Sequence, residues 1–220
     1  MMASQILILN PNSSESTTES VDRSLDILRG DGHVLTCMTL KSGPIGIETQ
    51  AHIESVVQPT AQLFSDTPAD AYVIACFSDP GLILAREAVR APVVGIAESS
   101  FMLAIGLGYR FSIVAISERS IPRHMRNVRS LGLENRLAGD WPINVGAEHM
   151  DGAGVVDKVV QVGRRLRDED GADVVILGCA GMGRYRAEIE NILGIPVIDP
   201  TQAAVARVLG LLSLGYRKAA

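Results

Sequence analysis

Two rhythms of apolar and polar positions alternate along this chain. Runs of four to seven apolar residues recur, and longer segments with helical spacing separate them, the pattern of βα units built on a mainly parallel sheet. Strands are predicted over 6–9, 34–38, 72–75, 93–96, 112–116, 174–177 and 197–198. Helices are predicted over 13–28, 48–64, 80–89, 99–107, 119–131, 152–167, 184–193 and 201–214.

Two of the apolar runs end alike. ADAYVIACFSDPGL at 69–82 and GADVVILGCAGMG at 171–183 each carry a strand into a cysteine and then break into small and turn-forming residues. The likeness continues, because APVVGIAES begins 15 residues after Cys76 and IPVIDPTQA begins 16 after Cys179. The two cysteines are 179 − 76 = 103 residues apart, close to half of 220. This predicts an α/β fold of two similar lobes with mainly parallel sheets, related by a pseudo-two-fold axis through a cleft. Ligands of open parallel sheets bind beyond the carboxyl ends of the strands, and both cysteines fall there. The lobes are read as 1–98 and 99–220, with the last helix, 201–215, a candidate to complete the first.

Composition narrows the class. With 220 residues and 47 % hydrophobic content the chain can bury a substantial core. A net charge of −5, with basic residues scattered except for RRLR at 164–167, leaves no electrostatic footprint for nucleic acid. No apolar run approaches the roughly 18 residues of a membrane span, and MMASQILILN lacks a basic segment ahead of a signal-like region. The expectation is a cytoplasmic protein with a small-molecule substrate and neither a nucleic-acid nor a membrane partner. Three cysteines without CxxC spacing suggest neither a disulfide framework nor a thiol-rich zinc site. His33, His52, His124 and His149 show no HExxH pairing and read as surface or loop residues, so no metal is expected.

Free cysteine is among the residues most often buried, so a structural reading stands beside any chemical one. Cys37, inside HVLTCMTL at 33–40, reads as part of a half-buried strand with no helix start after it, and is taken as structural. Cys76 precedes Phe77-Ser78-Asp79-Pro80-Gly81, in which Ser78 or Asp79 can cap a helix and Pro80 suits its first turn. Cys179 precedes Ala180-Gly181-Met182-Gly183, whose small residues permit a tight turn that brings amides near a ligand. Both settings predict sulfurs beside free N–H groups, which favours thiolate, and amides able to hold an enolate oxygen. Two opposed thiols make a simple device. One removes the proton next to a carbonyl and the other returns a proton from the opposite face, which is racemisation without redox chemistry or cofactor.

The ordered set ILILNPNSS at 6–14, GPIGIET at 43–49, ACFSDPGL at 75–82, VVGIAESS at 93–100, VAISERS at 114–120, LGCAGM at 177–182 and IPVIDP at 195–200 resembles the aspartate/glutamate racemase superfamily, and within it the hydantoin and allantoin racemase group. The resemblance covers nearly the whole chain. It implies two α/β lobes with the active site in the cleft, Cys76 and Cys179 as acid and base, no cofactor, and a homo-oligomer. Members that act on free acidic amino acids carry an acidic residue near the first turn and a Thr-His pair after the second cysteine. Here those positions are Asn10 and Ala180-Gly181, which favours a neutral cyclic amide such as a hydantoin or allantoin.

Candidate substrate contacts are Asn10, Pro44, Ile45, Phe77, Ser78, Ser117, Ala180 and Gly181. Bland roles compete with them: Ser78 and Ser117 can cap helices, and Pro44 and Ile45 can pack a loop. Asn12 with Glu15 reads as a capping box, and Glu98 as an ordinary first-turn acid outside the chemistry. Rival functions are maleate cis–trans isomerisation, in which one cysteine adds to a double bond; arylmalonate decarboxylation, which the resemblance ties to the second cysteine alone; and a non-catalytic two-lobe binding protein, which has no use for thiols at both strand ends.

Overall fold

In a computed structural model, which describes residues 3–30, 32–145 and 154–216, strands and helices alternate almost throughout. In chain order they are β1 (Ser4–Asn10), α1 (Glu15–Ser24), β2 (His33–Thr39), α2 (Gln50–Asp66), β3 (Ala71–Ile74), α3 (Leu82–Ala88), β4 (Val93–Gly95), α4 (Ile96–Leu107), β5 (Phe111–Ala115), α5 (Ile121–Ser130), β6 (Leu137–Pro142), α6 (Val155–Asp168), β7 (Val174–Leu177), α7 (Arg186–Leu193), β8 (Val197–Ile198) and α8 (Pro200–Ser213). The strands form two sheets, β2-β1-β3-β4 and β6-β5-β7-β8, in which every pairing is parallel. The second sheet repeats the first in order and register: Leu9 stands opposite Ile74 in one, Val114 opposite Leu177 in the other. β3, β5 and β7 are buried along their whole length, as their unbroken apolar runs require of strands covered on both faces.

The lobes exchange helices. α4 follows the first sheet but packs on β5 and β7 of the second, while α8 follows the second sheet and packs on β3 and β4 of the first. The two helices also pack on each other. One hydrophobic core therefore runs through both halves, joining Ile8 and Val73 to Phe101, Ile113, Ile176 and Val205. We propose that the lobes divide near residue 98, with α8 completing the cover of the first.

Three local differences from the sequence pattern have physical reasons. β6 is not predicted: LAGDWP has no alternating or β-branched run, and the strand is a half-buried edge whose pairing to β5 shifts register at Phe111/Ser112. The cap of α1 is Ser14, whose Oγ accepts from Thr17 N–H, whereas Asn12 accepts from Ser14 N–H and turns the chain one step earlier. The predicted helix over 152–167 begins at Val155, after Gly154 in left-handed backbone at φ 82°; 152 and 153 lie outside the described residues.

A fourth difference concerns α4, which begins at Ile96 directly after β4 rather than at 99. Its cap is not local. Asp79, at φ 45°, reaches over from the loop after β3 and accepts from Ala97 and Glu98 N–H at 3.0 and 2.8 Å. In the second lobe Asp199 caps its own helix, accepting from Thr201 and Gln202 N–H at 2.7 and 3.2 Å. The same pair of amides is thus satisfied by a carboxylate arriving from a different strand end in each lobe. Gly95 makes room for it, since a Cβ there would stand 2.2 Å from Asp79 Cγ. Gly95→Ala is expected to cost about 1–3 kcal/mol in urea unfolding, the usual range for overpacking. Combined with Asp79→Asn it should cost less than the sum of the two changes, because both act on one contact. Strict additivity, or an unmoved midpoint in Gly95→Ala, would count against this cap.

Candidate active site

β3 and β7 each extend one residue past their last ladder pair before the chain turns. Ala75 N–H donates to Leu9 O at 2.8 Å, and Gly178 N–H donates to Val114 O at 2.9 Å. The next residue is Cys76 in the first lobe and Cys179 in the second. Both turns then close in the same way: Asp79 N–H donates to Cys76 O and Met182 N–H to Cys179 O. The amides two residues on, of Ser78 and Gly181, point at the two sulfurs. The local sequences share only the cysteine, so the likeness comes from the backbone route out of a parallel strand.

Both cysteines line a single small cavity of about 50 Å³. Phe77, Ser78 and Ala180 contribute from the same two turns, Arg123 and His124 from α5, and Asn12, Ile47 and Ile116 from neighbouring strand ends. Larger grooves exist: one of about 880 Å³ along α6 holds no cysteine or histidine. Volume is a poor guide here, because it is the small cavity that brings Cys76 and Cys179 together with Arg123 and His124.

Each cysteine is partly buried. Burial pushes the Cys76 thiol up to about 12, against a smaller lowering by the Ser78 amide. Negative charge at Asp79 and at Cys179 raises it further, and Arg123 opposes them. Cys179 is raised as well, first by burial, with the Gly181 amide acting in the other direction. The expected preference for thiolate is therefore reversed in this cleft: one amide and a helix of seven residues do not replace the lost hydration of a thiolate. Charge on Cys179 is among the smaller influences felt at Cys76.

The remaining residues singled out in the sequence divide. Phe77, Ser78 and Ala180 line the cavity. Gly181 lies behind it, with N–H toward Cys179 and its carbonyl accepting from Ser20 Oγ at 3.2 Å. Asn10 is buried but its amide is committed to the β1–α1 turn, donating to Asn12, Ser14 and Thr18, so it holds Asn12 at the cavity instead of lining it. Pro44 accepts from Ser13 N–H in a neighbouring loop, Ile45 is 68 % exposed, and Ser117 faces an adjacent groove with Glu118 and Asn144. Cys37 is half-buried in β2 and shares no cavity with the other two. Glu98 is held between Arg86 and Arg207, which fits its exclusion from the chemistry.

Two residues at the cavity carried no motif. His124, read as a surface histidine, is 2 % exposed; its Nδ1 lies 2.9 Å from Asp140 Oδ2 and its ring packs edge-on against Phe77. Arg123 beside it is buried too. The available signal was the polar, amphipathic segment RSIPRHMRNVRS at 119–130, but its partner Asp140 sits on the one strand that the pattern missed.

The sequence profile of Asp/Glu/hydantoin racemases matches residues 6–208. The chain belongs to this family. Within it, the chain is 36 % identical to a hydantoin racemase from Paenarthrobacter aurescens, over 97 % of this chain and 93 % of that one. A hydantoin racemase from Pseudomonas sp. strain NS671 is 33 % identical, over 97 % and 88 %. The fold superimposes on an allantoin racemase from Klebsiella pneumoniae with a TM-score of 0.94 and 30 % identity, covering 99 % of this chain and 91 % of that one. The two four-stranded parallel sheets of this chain thus match the two-lobe fold of that racemase.

Raised thiols make a clear pH prediction. Iodoacetamide labelling of Cys76 in the free protein should accelerate about tenfold per pH unit from pH 7 to 9 without levelling, because the thiolate fraction grows with that slope below the pKa. A plateau below pH 8 would mean that the cleft stabilises thiolate after all.

Proposed function

We propose that this racemase acts on 5-substituted hydantoins or allantoin, without a cofactor, through proton abstraction by one of Cys76 and Cys179 and proton return by the other. The observation that carries the reading is that the two thiols, placed at equivalent ends of β3 and β7, line the same cavity. The hydantoin racemases and the allantoin racemase that the chain resembles support the substrate class. So does the cavity itself: Asn12, Ser78 and Ser120 supply neutral hydrogen-bonding groups, and Phe77, Ile47 and Ile116 supply apolar walls for a flat ring. Ser78 and Ala180, next to the thiols in their turns, are the proposed ring contacts, while Gly181 holds Cys179. A cavity of about 50 Å³ is smaller than such a ring, so the lobes part to admit it.

In the reaction, a thiolate takes the proton from the ring carbon next to a carbonyl and the electron pair moves onto the carbonyl oxygen. The opposing thiol then gives its proton to the other face and is left as the thiolate. One S–H bond forms, one breaks, and the carbon is inverted with no change of oxidation state. The chemistry needs reduced thiols, consistent with a reducing cytoplasm. Among the described residues no helix is long and apolar enough to cross a membrane. A homo-oligomer is proposed as well, for which exposed Leu103 and Leu107, one turn apart on α4, offer an apolar face.

Polarimetry with optically pure hydantoins, allantoin and free amino acids tests the substrate class: rotation should decay to zero for the cyclic amides and persist for the amino acids. Cys76→Ser and Cys179→Ser should both lose racemisation, since a serine hydroxyl is too weak an acid to replace a thiol. In D₂O each variant should exchange the ring proton of one enantiomer only, with opposite preferences, read by NMR. Racemisation at the wild-type rate by either variant would remove the two-thiol assignment; Cys37→Ser should remain fully active.

A further inference from the structure

Arg123 is 8 % exposed, yet among the described residues no carboxylate lies within ion-pair distance of it. Its Nη1 donates to the carbonyls of Glu48 at 2.8 Å and Arg119 at 2.7 Å, and its Nη2 to Ser120 Oγ at 3.3 Å. Its Nε–H is buried without any partner. A guanidinium keeps its charge under all ordinary conditions, so this cation is desolvated, and the charge of Glu48 acts on it only from beyond ion-pair distance. Proteins tolerate such a charge where an incoming or developing anion meets it. Arg123 lines the cavity of Cys76 and Cys179, and its charge is felt at Cys76.

Four of the amides that the sequence offers for an enolate oxygen are already engaged. Those of Ser78 and Gly181 serve the sulfurs, and those of Asp79 and Met182 serve the cysteine carbonyls. Three neutral acceptors hold the rest of the Arg123 fork in place, which fixes the direction of its free N–H. We propose that Arg123 binds the carbonyl oxygen next to the reacting carbon and takes up the negative charge that develops there as the ring proton leaves. The inference rests on the racemase reading above and adds the group that stabilises its intermediate. When the C–H electrons move into the ring, the carbonyl becomes an oxyanion hydrogen-bonded to the guanidinium. When the second thiol protonates the carbon, the charge leaves the oxygen and resides on sulfur. Arg123 transfers no proton itself.

The experiment compares Arg123→Lys and Arg123→Gln with the wild type on the hydantoin or allantoin that the wild type racemises best. Loss of one oxyanion donor lowers turnover by about 10²–10³-fold in comparable sites. Arg123→Gln is expected to lose that much in kcat with a smaller change in KM. Arg123→Lys keeps the charge but not the fork, and should lose at least about tenfold in kcat, while the pH dependence of Cys76 labelling by iodoacetamide stays that of the wild type. That split separates a contact with the oxyanion from an effect exerted through Cys76. Full kcat in Arg123→Lys, or a kcat in Arg123→Gln within about threefold of wild type, would overturn the proposal. Loss of folded circular dichroism in both variants would mark Arg123 as structural and overturn it too. A wild type inactive on every cyclic amide would instead defeat the racemase reading, which keeps the two failures distinct.

Discussion

The exchange of α4 and α8 between the lobes is the constraint on which the cleft depends. Two thiols on separate sheets can reach one carbon only if the sheets keep a fixed relation, and no strand pairs one sheet with the other. The relation is instead imposed by packing: each crossing helix buries its apolar face on the opposite sheet, and a single core passes through both. Phe77, directly after Cys76, joins this core through an edge-on contact with Phe101, which in turn packs on Phe111 of the second sheet. The turn that carries the first thiol is thereby tied to the second lobe. Close packing of this kind transmits small displacements, so parting of the lobes must also disturb the Phe77–Phe101 contact beside Cys76.

The crossing helices are secured at their starts by buried carboxylates. Asp79 and Asp199 occupy equivalent places on the two helices, and burial raises both, to about 7 and about 6, although two backbone amides hold each of them down. Glycine is required beside each, at Gly95 and Gly183, where a Cβ would meet the carboxylate. Farther along, Glu98 holds Arg86 of α3 and Arg207 of α8 at 2.9 and 2.7 Å, a clamp of three helices around the first sheet. Asp79 also connects this scaffold to the chemistry, because its charge is one of the influences that raise Cys76.

The cleft combines a low-dielectric interior, two thiols disfavoured as anions, and a buried guanidinium whose Nε–H has no partner among the described residues. In the proposed reaction a ring brings a carbonyl to the cation and a weakly acidic carbon between the sulfurs, and the cost of holding Arg123 desolvated becomes an attraction for the charge that forms there. The buried His124–Asp140 pair has a different place in this arrangement: it backs Phe77 and fixes the wall of the pocket from the second lobe.

Periodicity and repetition made much of this legible in the sequence. Unbroken apolar runs such as YVIA and VVIL are what strands buried on both faces demand, and the 103-residue interval between Cys76 and Cys179 announced two copies of one unit. β6 escaped because an edge strand is held by its neighbour's backbone and by Trp141 and Ile143, not by a pattern of its own. The start of α4 escaped because its cap comes from Asp79, 18 residues earlier along the chain. Asn10 looked like a ligand group from its position at a strand end, yet three hydrogen bonds within the first turn claim its amide. Local order follows from neighbours in the chain, so strands, helices and the two cysteine turns could be read from residues alone. Arg123, His124 and the protonation of the thiols depend on burial and on partners dozens of residues away, and only the folded chain sets those.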